Sequence, residues 1–309
     1  MRKKLIEDVA MPTDARVNIE QAFEAMERRG CAKDNLDYLR SIISDKVIYD
    51  FSGYSGITTF LAISSKPDEK NLCVKICDTP HQLERSYVML NLMSKYSLFP
   101  RVIEYISTNK DYLVTEVIEA PMALNAFDDF RSLSSFMGRA LRYFHDIQWN
   151  IASMTELEKH FISSKTGFIL PEALSHENGL SFLAQYQNDF DYVAMKEYLK
   201  KHQKDYLEDD VMIHGDFNPR NVFVKDDNLV AVVDLDDTCF GDRHYDIYFS
   251  MWTVALYSGI LDNLELVKEC ENIFLDSYGR EKIDQRRMDY CKKLTCMYWQ
   301  EHNDIRGLI

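Results

Sequence analysis

Three side chains are spaced for a particular chemistry. Asp216 precedes Asn221 by five positions, and Asp234 follows Asn221 by thirteen. Residues 222–224 and 229–233 are short apolar runs joined by the polar turn Lys225-Asp226-Asp227-Asn228, so a hairpin would bring Asn221 and Asp234 to the same end. An amide oxygen and a carboxylate are hard donors of the kind magnesium prefers, and that ion keeps waters and phosphate oxygens as its other ligands. Asp216, on the loop feeding the first strand, would sit beside the ion and face an incoming hydroxyl. Phosphoryl transfer requires that layout: a carboxylate orienting the nucleophile and metal ions neutralising charge on nucleotide phosphates. Taken singly, each residue is also a common turn residue. Together, at these intervals around an otherwise apolar hairpin, they point to function.

The surrounding residues strengthen the reading. His214-Gly215-Asp216-Phe217-Asn218-Pro219-Arg220-Asn221 resembles the catalytic loop of the aminoglycoside phosphotransferase family, and is similar to the H-R-D-x-x-x-x-N loop of protein kinases with Gly215 in place of the Arg. Val232-Val233-Asp234-Leu235-Asp236 resembles the strand and metal aspartate of that family. Gly241-Asp242-Arg243-His244-Tyr245-Asp246 resembles its downstream G-D-x-x-x-D, whose last aspartate braces the catalytic loop, and the stretch from Met137 to His145 resembles its long preceding helix. The likeness spans about residues 46–260. It implies that Asp216 is the catalytic base or hydroxyl-orienting carboxylate, that Asn221 and Asp234 are magnesium ligands, and that ATP or GTP is the phosphate donor.

The resemblance also suggests roles nearer the N-terminus. Lys75 resembles the strand lysine that pairs with nucleotide phosphates, with Cys73 and Cys77 on its own face and Val74 and Ile76 on the other. Glu84 is the best helix carboxylate to pair with it, although it lies only nine residues later and the corresponding position further on is Ser86. Gly53, Ser55 and Gly56 stand where a phosphate-covering loop belongs, and two glycines allow close backbone approach. Thr115, Glu116, Val117 and Ile118 would offer backbone donors and acceptors to the nucleobase. Arg220, beside Asn221, is placed either to stabilise the transferring phosphoryl group or to pair with a surface carboxylate.

These residues need elements to position them. Helical spacing of Ile19, Ala22, Phe23 and Met26, then of Leu36, Leu39, Ile42 and Ile43, predicts two short leading helices. Residues 46–118 read strand, strand, strand, helix, strand, strand, with the helix opening at Thr79-Pro80-His81-Gln82 as N-cap, first-position proline and capping-box glutamine. Beyond Pro121 the pattern is mainly helical, with a long helix from Phe130 to about Gln148, a second from Leu180 to about Lys201, and helix again from about Asp246. The expectation is an α+β, bilobal protein-kinase-like fold. Residues 1–120 would form a small β-rich lobe and residues 121–309 a larger helical lobe that includes the hairpin and the substrate site.

Composition narrows the partners. Lys plus Arg is 36 against Asp plus Glu 50, a net charge of −14, which argues against a nucleic-acid binder and suits a cationic substrate. Seven scattered cysteines do not make a disulfide framework, and the longest uncharged run is too short to span a bilayer, so a soluble cytoplasmic protein is expected. The favoured substrate is an aminoglycoside antibiotic, whose modification would confer resistance, with Asp236, Asp237 and Glu301 as candidate carboxylates for its amines. Homoserine, choline, methylthioribose and macrolides stay open. A non-catalytic nucleotide-binding pseudokinase is the competing class, and the joint presence of Lys75, Asp216, Asn221 and Asp234 argues against it.

Overall fold

The computed structural model describes residues 16–17, 37, 40–43, 46–50, 57–64, 66, 68–77, 79–96, 98–107, 111–163, 192–207 and 210–301. Six strands form one antiparallel sheet: β1 (Arg16–Val17), β2 (Lys46–Asp50), β3 (Thr58–Ser64), β4 (Leu72–Cys77), β5 (Val102–Ser107) and β6 (Asp111–Glu116). Their order across the sheet is β1-β2-β3-β4-β6-β5. Period-two alternation decides which side chains share a face. Phe60, Ala62, Leu72, Val74, Ile76, Tyr112 and Val114 pack with Ile43 and Ile48 into one core. On the other face Leu61 and Ile63 meet Tyr49, Cys73 and Val117. The leading strand β1 was not expected. Residues 18–36, which carry the first of the two expected helices, lie outside the described residues.

The helix after β4, α1 (Glu84–Met93), starts later than its sequence suggests. Thr79 is not its cap. His81 adopts a positive φ of 64°, and Leu83 occupies the cap position without a side-chain hydrogen bond. The backbone donors are satisfied from a distance: the buried Asp111 carboxylate accepts the His81 N–H on one oxygen and the Leu83 N–H on the other, both at 2.8 Å. Asp111 also accepts the Ser107 hydroxyl at 2.6 Å. Tyr87 of α1 stacks on Tyr105 of β5 with ring centroids 4.6 Å apart.

After α2 (Ala123–Ala126) the chain turns mainly helical, with α3 (Phe130–His145), α4 (Glu156–Phe161), α5 (Tyr192–Tyr206), α6 (Arg243–Tyr257), α7 (Leu264–Tyr278) and α8 (Gln285–Glu301). Asp129 caps α3 by accepting the Arg131 and Ser132 N–H groups at 2.9 and 3.1 Å. One face of α3 buries Leu133, Phe136, Met137, Ala140, Leu141 and Phe144. Gly138 permits the crossing with α7, because a Cβ there would lie 2.5 Å from the Phe274 carbonyl oxygen. Asp242, rather than a residue near 246, caps α6 through the His244 N–H at 2.9 Å. The second helix expected from Leu180 is described only from Tyr192 onward.

Two short sheets interrupt the helices. In one, β7 (Val211–Ile213) pairs with β10 (Cys239–Gly241). In the other, β8 (Val222–Lys225) pairs with β9 (Asn228–Val232). Asp226 and Asp227, at φ 51° and 60°, make the positive-φ turn that suits the twist of a two-residue hairpin.

The molecule divides into two compact units. The first comprises Met1–Asn125 together with Phe223–Lys225 and Leu229–Asp236, and the second comprises Ala126–Val222, Asp226–Asn228 and Asp237–Ile309. The hairpin strands, expected with the helical lobe, group with the small unit for a visible reason. The Val224 N–H donates to the Pro121 carbonyl at 3.0 Å, and the Val232 N–H donates to the Leu98 carbonyl at 2.7 Å. In the second unit Leu199, Val211, Ile213, Cys239, Tyr245, Tyr290, Cys291 and Leu294 form a continuous core under β7 and α6. No helix among the described residues is long and apolar enough to cross a membrane.

Candidate active site

In the second unit, Asp216 sits on a loop pinned from behind. Asp246, on the first turn of α6 and fully buried, accepts the His214 N–H at 2.6 Å and the Gly215 N–H at 2.9 Å, one on each carboxylate oxygen. His145, the last residue of α3, places Nε2 3.2 Å from Asp246 Oδ2 and Nδ1 2.8 Å from the Tyr278 hydroxyl. A neutral imidazole protonated on Nε2 satisfies both contacts. A buried carboxylate is costly unless its lone pairs are used, and three donors here use them. The downstream aspartate is therefore the brace that the motif implied. His145 had no role assigned from sequence, and its only signal was a histidine ending an apolar helix.

Gly215 could not be replaced without moving the loop. Its φ is +84°, and a Cβ would lie 2.6 Å from the Asp237 Cβ and 2.8 Å from the Asp237 carbonyl oxygen. Sterics thus account for glycine where protein kinases carry arginine. His214 Nδ1 accepts the Asp216 N–H at 3.2 Å.

The Asp216 carboxylate is held in orientation by two amides. Asn218 Nδ2 donates to Oδ1 at 2.8 Å, and Asn221 Nδ2 donates to Oδ2 at 2.9 Å. Asn218, which had no role assigned from sequence, thus helps to hold the Asp216 carboxylate. Asn221 Nδ2 also reaches the Asp216 carbonyl at 3.0 Å, so its amide oxygen is the end left over and meets no donor among the described residues. An uncommitted amide oxygen on an otherwise buried side chain fits a hard cation such as magnesium. Arg220 is exposed and forms no ion pair among the described residues, while its N–H donates to Asn218 Oδ1 at 2.9 Å.

In the first unit, Asp234 follows β9 at φ 63°, a conformation that costs a non-glycine residue energy and tends to persist at functional positions. Its carboxylate is exposed and carries no hydrogen bond among the described residues, which again fits a magnesium ligand. Lys75 lies on β4 opposite Thr59 of β3 and Leu113 of β6, on the face shared with Cys73. Burial alone would push its ammonium down, yet Asp236 foremost, then Asp234 and Cys73, hold it above the ordinary lysine value. Glu84 does not provide that charge; it faces His81, with 3.8 Å between carboxylate and Nδ1. Two residues further along α1 the buried Ser86 hydroxyl donates to Asp236 Oδ1.

The four residues assigned to the nucleobase are narrowed by their own bonds. Thr115 is buried within β6. The Glu116 N–H is taken by the Arg101 carbonyl and the Val117 N–H by the Asn71 carbonyl, both at 3.0 Å. The Glu116 carboxylate pairs with Lys70. The Ile118 N–H has no backbone acceptor among the described residues. Gly53, Ser55 and Gly56 lie outside the described residues, as does the side chain of Glu301 at the end of α8. Asp237 is exposed beside Gly215.

Comparisons with known proteins bear on the family and the fold. The chain is 24% identical over 283 residues to a probable aminoglycoside 3'-phosphotransferase of Lactococcus lactis subsp. lactis, covering 89% of this chain and 94% of that protein. Its fold matches the aminoglycoside phosphotransferase APH(3'')-Id of Streptomyces rimosus with a TM-score of 0.61 at 18% identity, over 86% of this chain and 98% of that one. It also matches the choline kinase LicA of Streptococcus pneumoniae with a TM-score of 0.58 at 15% identity, over 87% and 88%. The model of the phosphotransferase enzyme family matches residues 70–267, a stretch that holds Lys75, Asp216, Asn221, Asp234 and Asp246. The chain belongs to that family, with the protein-kinase-like fold of the aminoglycoside phosphotransferases, and is an enzyme that phosphorylates hydroxyl groups.

Proposed function

We propose that this enzyme transfers the γ-phosphate of ATP or GTP to a hydroxyl of a small cationic molecule, with an aminoglycoside the leading acceptor. The observation that carries the reading is the Asp216 carboxylate, oriented by Asn218 and Asn221 on a loop that Asp246 pins. Asp216 accepts a hydrogen bond from the acceptor hydroxyl, aims its oxygen at the γ-phosphorus and takes up the proton as the bond forms. Lys75 binds nucleotide phosphate, and the Ile118 N–H offers a donor to the nucleobase. The family resemblance assigns phosphate contacts to Gly53, Ser55 and Gly56. Arg220 balances charge on the phosphoryl group in flight. Asn221 and Asp234 hold magnesium, which when bound neutralises phosphate charge. Asp237, exposed in the second unit, attracts the acceptor's amines.

The aminoglycoside assignment is supported by the named activity of the Lactococcus relative and by the net charge of −14. A choline-like amino alcohol is the second reading, favoured by the fold match to a choline kinase and by the same charge. The test is nucleotide consumption with magnesium across a panel of aminoglycosides, amino alcohols and sugars, ATP and GTP separately. Turnover stimulated by one acceptor class and lost by at least about a thousandfold in Asp216→Ala supports the proposal. Stimulated turnover that survives in Asp216→Ala would overturn Asp216 as the base.

A further inference from the structure

The lysine that binds nucleotide phosphates needs an anion to hold it, and the helix beside the sheet does not supply one here. Of the carboxylates near the start of α1, Glu84 is committed to His81. Two residues further on, on the buried side of the helix, stands Ser86, with 4% of its surface exposed. Its hydroxyl bridges 150 positions of sequence to Asp236 Oδ1. Asp236 begins no regular helix of its own and lies in the 3-10 turn Leu235–Asp237 directly after the positive-φ Asp234. Its negative charge, with that of Asp234, holds the Lys75 ammonium above the ordinary lysine value. Ser86, Lys75 and Asp236 all belong to the first compact unit.

We infer that Asp236, oriented by the Ser86 hydroxyl, is the carboxylate that positions Lys75 for the nucleotide phosphates. A hydroxyl on the helix and a carboxylate after β9 together replace a single helix glutamate. Asp236 thereby moves from the acceptor side, where composition alone suggested it, to the donor side. Asp236 and Ser86 are positioning residues, since they act on phosphate through Lys75. The inference rests on the kinase reading above.

Direct binding of magnesium–ADP to the full chain, followed by calorimetry, tests it without knowledge of the acceptor. Asp236→Asn is expected to weaken binding about tenfold or more, and Ser86→Ala by a smaller factor in the same direction. Restoring a carboxylate from the helix, with Ser86→Glu in the Asp236→Asn background, is expected to recover most of that affinity. A merely structural defect would not be rescued in this way. Asp236→Asn should also retain the stimulation of binding by magnesium, unlike Asp234→Asn. Should Asp236→Asn not fold, the Ser86→Ala and Ser86→Glu variants still read out the same contact. Wild-type affinity in both Asp236→Asn and Ser86→Ala would overturn the inference and leave the kinase reading intact. Absence of nucleotide binding in the wild type would overturn both. In steady-state assays the inferred role raises the KM for nucleotide, and a rise confined to the KM of the acceptor would return Asp236 to the acceptor side.

Discussion

The Asp216 loop shows how far individual residues are legible in a sequence. The spacing of Asp216, Asn221 and Asp246 anticipated residues that the structure joins by hydrogen bonds, because the motif couples them through a short, stereotyped loop. The Ser86–Asp236 bond was not legible, because nothing local relates two positions 150 apart. The positive φ of Asp234 was equally hidden, since the tolerance of aspartate for that region does not single it out from Asp236 and Asp237 beside it. The brace has a measurable cost. Asp246→Ala would leave the His214 and Gly215 N–H groups buried without acceptors, which costs about 3 kcal/mol or more. Urea unfolding should show that loss, and turnover should fall with it because the Asp216 loop is no longer held. An unfolding free energy equal to wild type would mean that the loop finds other acceptors.

At the level of elements, alternation and helical period placed five sheet strands, α1, α3 and the β8–β9 hairpin in the right order. They misplaced boundaries where a distant side chain overrides local capping. Thr79-Pro80-His81-Gln82 has the composition of a helix start, but Asp111 satisfies the backbone N–H groups of His81 and Leu83 from the adjacent strand, so the helix opens at Glu84. The turn between β3 and β4 depends on a comparable distant contact. Glu69 bonds Lys66 at 2.7 Å, the Ser64 hydroxyl at 2.9 Å and Lys46 of β2 at 3.2 Å, and these partners hold its carboxyl down at about 2. A folded value below the unfolded one stabilises the protein above the ordinary glutamate pKa, and that contribution disappears as pH falls through the folded value. Glu69→Gln is therefore expected to lower the melting temperature at pH 7. The gap from wild type should close progressively between about pH 4.5 and pH 2. A gap that is constant down to pH 2 would show that shape rather than charge holds the turn.

For the molecule as a whole, composition pointed to the charge of the substrate, and the measurable consequence is salt dependence. With a net charge of −14, the KM for a polycationic acceptor should rise as ionic strength increases from about 20 to 200 mM, while that for a neutral acceptor stays level. Equal salt responses would detach the surface charge from acceptor binding. What the sequence concealed is the path of the chain. A boundary near Pro121 reads as one clean join, yet the hairpin strands that precede Asp234 and Asp236 return to the first unit through backbone bonds to Pro121 and Leu98. That return limits how the family can be recombined. A chimera taking residues 1–125 from one relative and the rest from another would pair each hairpin with a foreign sheet. The chain crosses between units five times from Asn125 onward, so inheritance of a complete first unit requires two separated stretches of gene to travel together. Chimeras that carry residues 223–236 along with 1–125 should express as folded protein more often than single-crossover ones, a difference that a solubility screen would count.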